Sequence, residues 1–253
     1  MIYDLQKASM WKRASAFLFD FIILGIVVVG LATLMSSVLG YDKYNNDMNA
    51  AYDKYEKQYG VEFEITYEEY ESKSEEDKAN WDAAYAALIA DKEAIYAYNM
   101  VFNLSILIAT FGILFAFIIL EFVIPNILGN GQTLGKKIFG LGVMRTDGIK
   151  VTAPLMFIRT ILGKFTIETM IPVLIIMMVF FNAIGIVGPI IIGLILLVQI
   201  ILMIATHTNS MIHDVLAKTV VIDVASQMIF DSEADLIAYK EKVHAEQVAR
   251  QTY

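Results

Sequence analysis

Cysteine is absent from this chain, and histidine (three) and proline (four) are scarce. The first absence excludes disulfides, thiolate metal sites, Fe–S clusters and cysteine nucleophiles. The few histidines include no His-x-x-x-His pair, so a histidine metal site is not expected either. Charge is also short. Charged residues make up 18% and hydrophobic ones 57% of the 253 residues, where soluble domains run near ~25% and ~45–50%. Mean hydropathy is +0.59. Such a chain is too apolar for water, and a membrane protein is the expectation. The net charge of −8 is the opposite of a basic nucleic-acid footprint, so no nucleic-acid partner is expected. No nucleophile–base–acid set is visible, so neither an enzyme nor a cofactor is expected.

What charge there is falls unevenly. Residues 42–93 hold six lysines against fifteen acids, leaving thirteen basic and twelve acidic residues elsewhere. One acidic, polar module thus carries the whole net charge. Around it lie four apolar runs. The first, Phe17 to Leu39, contains only Asp20 as a charge and exceeds the ~20 residues a bilayer needs. It is too long for a signal-peptide core, holds an acid, and lacks a small-x-small cleavage site, so an uncleaved span is expected. The second is Met100 to Ile124, with Glu121 near its end and Pro125 as its stop. The third runs near 165–181 and the fourth near 184–205, joined by a tight turn at Asn182 and Ala183. Arg159, Lys164 and Glu168 crowd the start of the third, and Pro172 should kink it. A re-entrant or interfacial helix is its alternative reading.

The expected fold class is an all-α membrane protein of about four spans. Its segments are a tail and first span (1–40), an acidic helical hairpin (41–98), the remaining membrane region (99–222) and a polar tail (223–253). Lys7, Lys12 and Arg13 flank the first span. Lys136, Lys137, Arg145, Lys150, Arg159 and Lys164 crowd the connection 125–164. The positive-inside rule then puts both termini in the cytoplasm of a multi-pass cell-membrane protein and the module 41–98 outside.

Within the module, Tyr41, Tyr44, Met48, Tyr52, Tyr55 and Tyr59 repeat at helical steps, as do Trp81, Tyr85, Leu88, Ile95 and Tyr98. Gly60 suits a helix end. Thr66 with Glu69 fits a capping box, and Ser74 with Asp77 a second helix start. Two helices continuous with spans one and two are the simplest expectation. The tyrosines read as the hairpin core, with a partner surface as the sharper reading.

The connection contains Gly131-Gln132-Thr133-Leu134-Gly135-Lys136-Lys137. It lacks the spacing of a phosphate loop. Val143–Arg145 and Ile149–Val151 flank Asp147-Gly148, which predicts a small β-ribbon closed by a two-residue turn. Lys136 and Lys137 are placed to meet anionic headgroups of the lipid bilayer.

Three pieces occur in order: Trp11-Lys12-Arg13-Ala14 leading to Asp20, the Gly131–Lys137 run, and His213-Asp214-Val215-Leu216-Ala217-Lys218-Thr219-Val220-Val221. Together they resemble the RDD family of bacterial and archaeal integral membrane proteins, named for an arginine and two aspartates. Arg13 and Asp20 fit the first two of those. Asp214 fits the third better than Asp147. Lys218 stands where the family commonly has glycine. The resemblance implies a membrane fold over about residues 5–41 and 99–222. It implies no settled activity; transport has been proposed for the family and cation/proton antiport reported for some members. It carries nothing over to the longer hairpin at 41–98.

An ionisable group inside a span is costly and by default functional. The intramembrane network expected here is Arg13, Asp20, Glu121, Arg159, Lys164, Glu168, His213 and Asp214. The loop motif supplies Gly131, Thr133, Gly135 and Lys136. Arg13 and Asp20, seven residues apart, share a helix face but lie too far apart to pair. At least one of Arg159, Lys164 or His213 is expected within hydrogen-bonding or water-bridging reach of Asp20, and Lys164 can pair with Glu168 at i, i+4. Two readings of the network remain: exchange of a monovalent cation, proton or small solute, and a buried lock that only orients the helices. Four spans are few for a carrier, so transport would call for a homo-oligomer or a partner membrane protein. The competing class is an accessory or regulatory subunit gripping a partner by its hairpin or tail.

Overall fold

The computed structural model describes residues 7–180 and 184–251. The chain forms two compact units. One gathers the chain up to Val28 with everything from Leu114 onward, and the other is Val29–Ile113.

Three helices are long and apolar enough to cross a membrane: α1 (Met10–Leu39), α5 (Lys92–Leu128) and α8 (Val187–Ala205). Between α5 and α8 lies a fourth helical run, α7, in three stretches: Ala153–Phe157, Ile158–Met170 and Ile171–Phe180. It contains Arg159, Lys164 and Glu168, the charges that made this run the least regular of the four. The turn expected at Asn182 and Ala183 lies outside the described residues.

Helix α5 does not stop at Pro125. Residues Ile118–Val123 are π-helical, and Ile124 donates to the carbonyl of Ile119, five residues back. A π-turn already spares donors and widens the coil, so a proline with no N–H is accommodated in the last turn. The long π-helical stretch Ile158–Met170 precedes Pro172 in the same way, with Ile171 donating to the Thr166 carbonyl.

The acidic unit contains α2 (Tyr41–Tyr59), α3 (Tyr67–Glu71) and α4 (Glu75–Ala90), and then the start of α5. Its caps follow the sequence. Gly60 closes α2 with φ 67°. The Thr66 and Glu69 side chains each take the other residue's backbone N–H, completing a capping box. Ser74 accepts from the Asp77 N–H. The core of this unit is Tyr55, Leu88 and Ala94 with Ala51, Tyr52, Tyr59 and Phe63. Trp81 and Tyr85 stack, ring centroids 5.3 Å apart. Two expectations are corrected here. The module holds three helices before α5, and α2 is not continuous with α1. Gly40, at φ 69°, interrupts the helix between them, because a left-handed residue cannot propagate the right-handed hydrogen-bond ladder. Helix α5, in contrast, runs unbroken from the acidic module into its apolar stretch.

The first unit carries the chemistry. Its α6 (Leu134–Ile138) leads into β1 (Leu141–Arg145). The Asp147-Gly148 turn is present, with Gly148 donating to Arg145 and Arg145 to Ile149. But the expected ribbon 149–151 is only an isolated bridge at Met144 and Lys150. The strand that pairs with β1 is β2 (Thr219–Asp223), antiparallel, Leu141 opposite Asp223 and Arg145 opposite Thr219. It follows the short helix α9 (Ile212–Leu216). The reason is burial: Leu141, Val143, Met144, Val220 and Ile222 are fully enclosed, which a polar two-residue hairpin could not achieve alone. Lys218 enters β2 at φ 50°. The glycine that the resemblance implies here would avoid the roughly 1–2 kcal/mol that the left-handed region costs other residues. The tail packs by Phe230 and Leu236 on Ile149, and α10 (Glu233–Gln251) closes the chain.

Candidate functional site

Two arms of charge meet in the first unit. The first is built on Asp20. Its carboxylate accepts from the Thr133 hydroxyl at 2.5 Å and from the Gly135 backbone N–H at 2.7 Å. Thr133 is the N-cap of α6 and accepts in turn from the Lys136 N–H. Asp20 thus caps a helix that is 113 or more residues away in sequence, where its negative charge meets the positive end of the helix dipole. Lys136 completes the group, its Nζ 3.1 Å from the Thr133 hydroxyl and 4.0 Å from Asp20. Gly135 is required. A Cβ there would lie 2.4 Å from the Ala16 carbonyl and 2.9 Å from the Asp20 carboxylate.

The second arm centres on Asp214, fully buried on α9. Arg159 donates Nε and Nη2 to its Oδ1, at 3.1 and 2.8 Å. Arg13 approaches its Oδ2 at 3.6 Å and donates to the Asn209 carbonyl at 2.7 Å. The Thr219 hydroxyl adds a bond at 3.2 Å. Beside it, His213 Nδ1 meets Glu168 at 2.8 Å while its Nε2 lies 3.5 Å from Asp214. Gly163 makes room for this histidine, since a Cβ there would fall 2.5 Å from the His213 Cβ. Glu121, on the π-turn of α5, pairs with Lys164 at 2.6 Å.

The electrostatics follow from burial and pairing. Burial by itself would push the Asp214 carboxyl up, but Arg159, His213 and Arg13 together hold it well below the usual range. Burial pushes His213 down, a direction Arg159 reinforces and Asp214 and Glu168 oppose. Lys136 is pushed down to about 8, by burial first and then by the neighbouring Lys164.

The direct pairings differ in part from those expected. Asp20 bonds to the loop motif, and Arg159, Lys164 and His213 are not among its described direct partners but line the same cavity. Those three serve Asp214, Glu121 and Glu168. Lys164 and Glu168 do not pair with each other in the described structure, because the π-helical register between them removes the i, i+4 alignment. Arg13 and Asp20, as expected, form no direct pair. Asp147 sits apart at the β-turn, bound to Arg145. Sequence reasoning passed over Thr160, Gln199, Asn209 and Thr219. Gln199 carried a signal, as the lone polar side chain within α8. It accepts from the Ile212 N–H at 3.1 Å and so fixes the start of α9.

The arms border a partly open cavity of about 250 Å³, lined by Arg13, Asp20, Lys136, Arg159, Lys164 and His213 on its polar side. Met10, Ala14, Phe17, Met203 and Met211 line its apolar side. A family model described as the RDD family matches residues 7–218, which takes in both arms except Thr219 and the cavity wall except Val221. The chain belongs to the RDD family. No curated protein and no solved structure matches it. In this RDD membrane protein, Arg13 and Asp214 form one contact and Asp20 another. The arginine and two aspartates assigned through the resemblance therefore divide between the two arms, and the cavity joins them.

Proposed function

We propose that this RDD protein transports a proton, a monovalent cation or a small solute across the cell membrane, with Asp20 as the exchanging carboxylate. The observation that carries this reading is the cavity. A lock that only orients helices closes tightly around its charges, whereas here six ionisable side chains line open space. Asp20 is the one carboxylate among the residues described as lining it, and its cationic neighbour Lys136 stands off at 4.0 Å. A proton or cation entering the cavity competes with the Lys136 ammonium for that carboxylate. The other carboxylates of the expected network, Glu121, Glu168 and Asp214, are held at 2.6 to 2.8 Å by Lys164, His213 and Arg159 and serve as the fixed frame.

In liposomes containing purified protein, a cation gradient should drive proton flux. Asp20→Asn should abolish that flux while the chain still folds, because the amide keeps the size and an acceptor oxygen toward Gly135. Flux equal to wild type in Asp20→Asn would reject Asp20 as the exchanging group. Absence of flux in the wild type for sodium, potassium and lithium would leave the accessory reading, with the acidic unit as the handle for a partner protein.

The same proposal places both termini in the cytoplasm and the module 41–98 outside, on the lysine and arginine distribution. It also makes α7 the fourth span. Single cysteines at Asn80 and Lys242 should then react with an impermeant maleimide from opposite sides of the membrane. Reaction from the same side would refute the arrangement.

A further inference from the structure

Arg159 is 1% exposed. Its Nε and Nη2 are engaged by Asp214, while Nη1 has no hydrogen-bond partner among the described residues. An unsatisfied donor on a buried charged group is expensive, so such a group normally faces a ligand or ordered water. Arg159 lines the cavity, together with three further cations, Arg13, Lys136 and Lys164. Each of these has its own acceptor: Asn209 and Asp214 for Arg13, Glu121 for Lys164, and Thr133 for Lys136. The polar wall is therefore biased toward positive charge, with Asp20 as the opposing carboxylate among the described lining. The rest of the wall is apolar. Phe17 is 62% exposed and stacks on the equally exposed Phe21, ring centroids 6.0 Å apart, so the apolar side of the cavity continues along the outer face of α1.

We infer that the cavity is a binding site for a phosphate oxyanion, seated at the end lined by Arg159, Arg13, Lys136 and Lys164. A guanidinium anchored by one edge, with Nη1 left without a partner among the described residues, keeps a donor that a phosphate oxygen can take. The cation-lined end takes the phosphate, and the apolar side with Phe17 and Phe21 suits an attached hydrocarbon chain. The inference goes beyond ion exchange and does not need flux, so its readout is binding.

The test uses the full chain in detergent, with native mass spectrometry and thermal unfolding as readouts. Phosphatidylglycerol, phosphatidylcholine and inorganic phosphate are added separately. Saturable one-to-one binding of phosphatidylglycerol, not matched by phosphatidylcholine, identifies a lipid phosphate. Saturable stabilisation by inorganic phosphate alone identifies a free oxyanion. Either supports the site, provided that two variants weaken it by about tenfold or more. Arg159→Lys keeps a cation for Asp214 and removes the fork. Ala14→Trp places an indole at the cavity wall and removes no member of an ion pair. Ligand binding unchanged in both variants, or no binding in either the phosphatidylglycerol or the phosphate arm, overturns the proposal. If Arg159→Lys fails to fold, Ala14→Trp alone decides.

Discussion

Gly135→Ala should destabilise the protein by about 3 kcal/mol, combining overpacking with loss of a hydrogen bond to a charged group. The new methyl would lie 2.4 Å from the Ala16 carbonyl and 2.9 Å from the Asp20 carboxylate. The first obstacle is backbone, which cannot rotate away. Relief requires α6 to retreat from α1, which breaks the 2.7 Å bond from the Gly135 N–H to Asp20. Gly193→Ala is the matched control. It adds the same methyl within α8, where nothing lies within 4 Å, and should leave stability unchanged or slightly raised because alanine favours helix. Thermal unfolding of both variants in one detergent measures the contrast. Equal melting of the two would show that Asp20 does not hold α6 against α1.

Asp214→Ala should cost about 3–5 kcal/mol, since it leaves buried cations without their counter-charge. Arg159 loses both of its described bonds, and Arg13 loses its carboxylate. The Thr219 hydroxyl, which enters β2 here, loses an acceptor too. Strand pairing with β1 should weaken in consequence, and hydrogen exchange at Met144 and Val220, which face each other across the two strands, should accelerate together. The double variant Arg159→Met with Asp214→Leu removes charge from both sides. It should recover about half of the loss or more, because apolar replacement of a buried pair is often neutral. Stability of the double variant no better than that of the single would mean that the pair holds the fold through geometry that apolar side chains cannot supply. The pair also sets an acid limit. The Asp214 carboxyl is held below its usual range in the folded chain. Its stabilising contribution is therefore complete above the unfolded carboxyl's value, near ~3.9, and is lost as pH falls through the folded one.

Three features were settled by local sequence. The long apolar runs made α1, α5 and α8 recognisable as membrane helices, since length and apolar composition alone decide whether a segment can span. The breaks at Gly60, Thr66 and Ser74 were equally legible, because a cap is made by residues within four positions of one another. The ordered motifs around Arg13, Gly131–Lys137 and His213–Val221 sufficed for the family. The tyrosine stripe of α2 was also sound in outline, yet its core partner Phe63 lies between helices, off any periodic pattern.

Tertiary structure alone decided who meets whom. Asp20 finds the N-terminus of α6 and not Arg159, Lys164 or His213, because helix packing sets that distance and no sequence spacing encodes it. Strand β1 takes a partner more than seventy residues onward, beyond the hairpin its own turn suggested, since only β2 covers its buried face. Glu121, Arg159, Lys164 and Glu168 lie on π-helical turns, where the usual 3.6-residue rule assigns the wrong faces. A heptad count on an ideal helix therefore names the charged residues correctly and pairs them incorrectly. The cavity is the clearest case of all: its lining comes from residues as far apart in the chain as Met10 and Val221, and it exists only once segments from both ends of the chain have packed together.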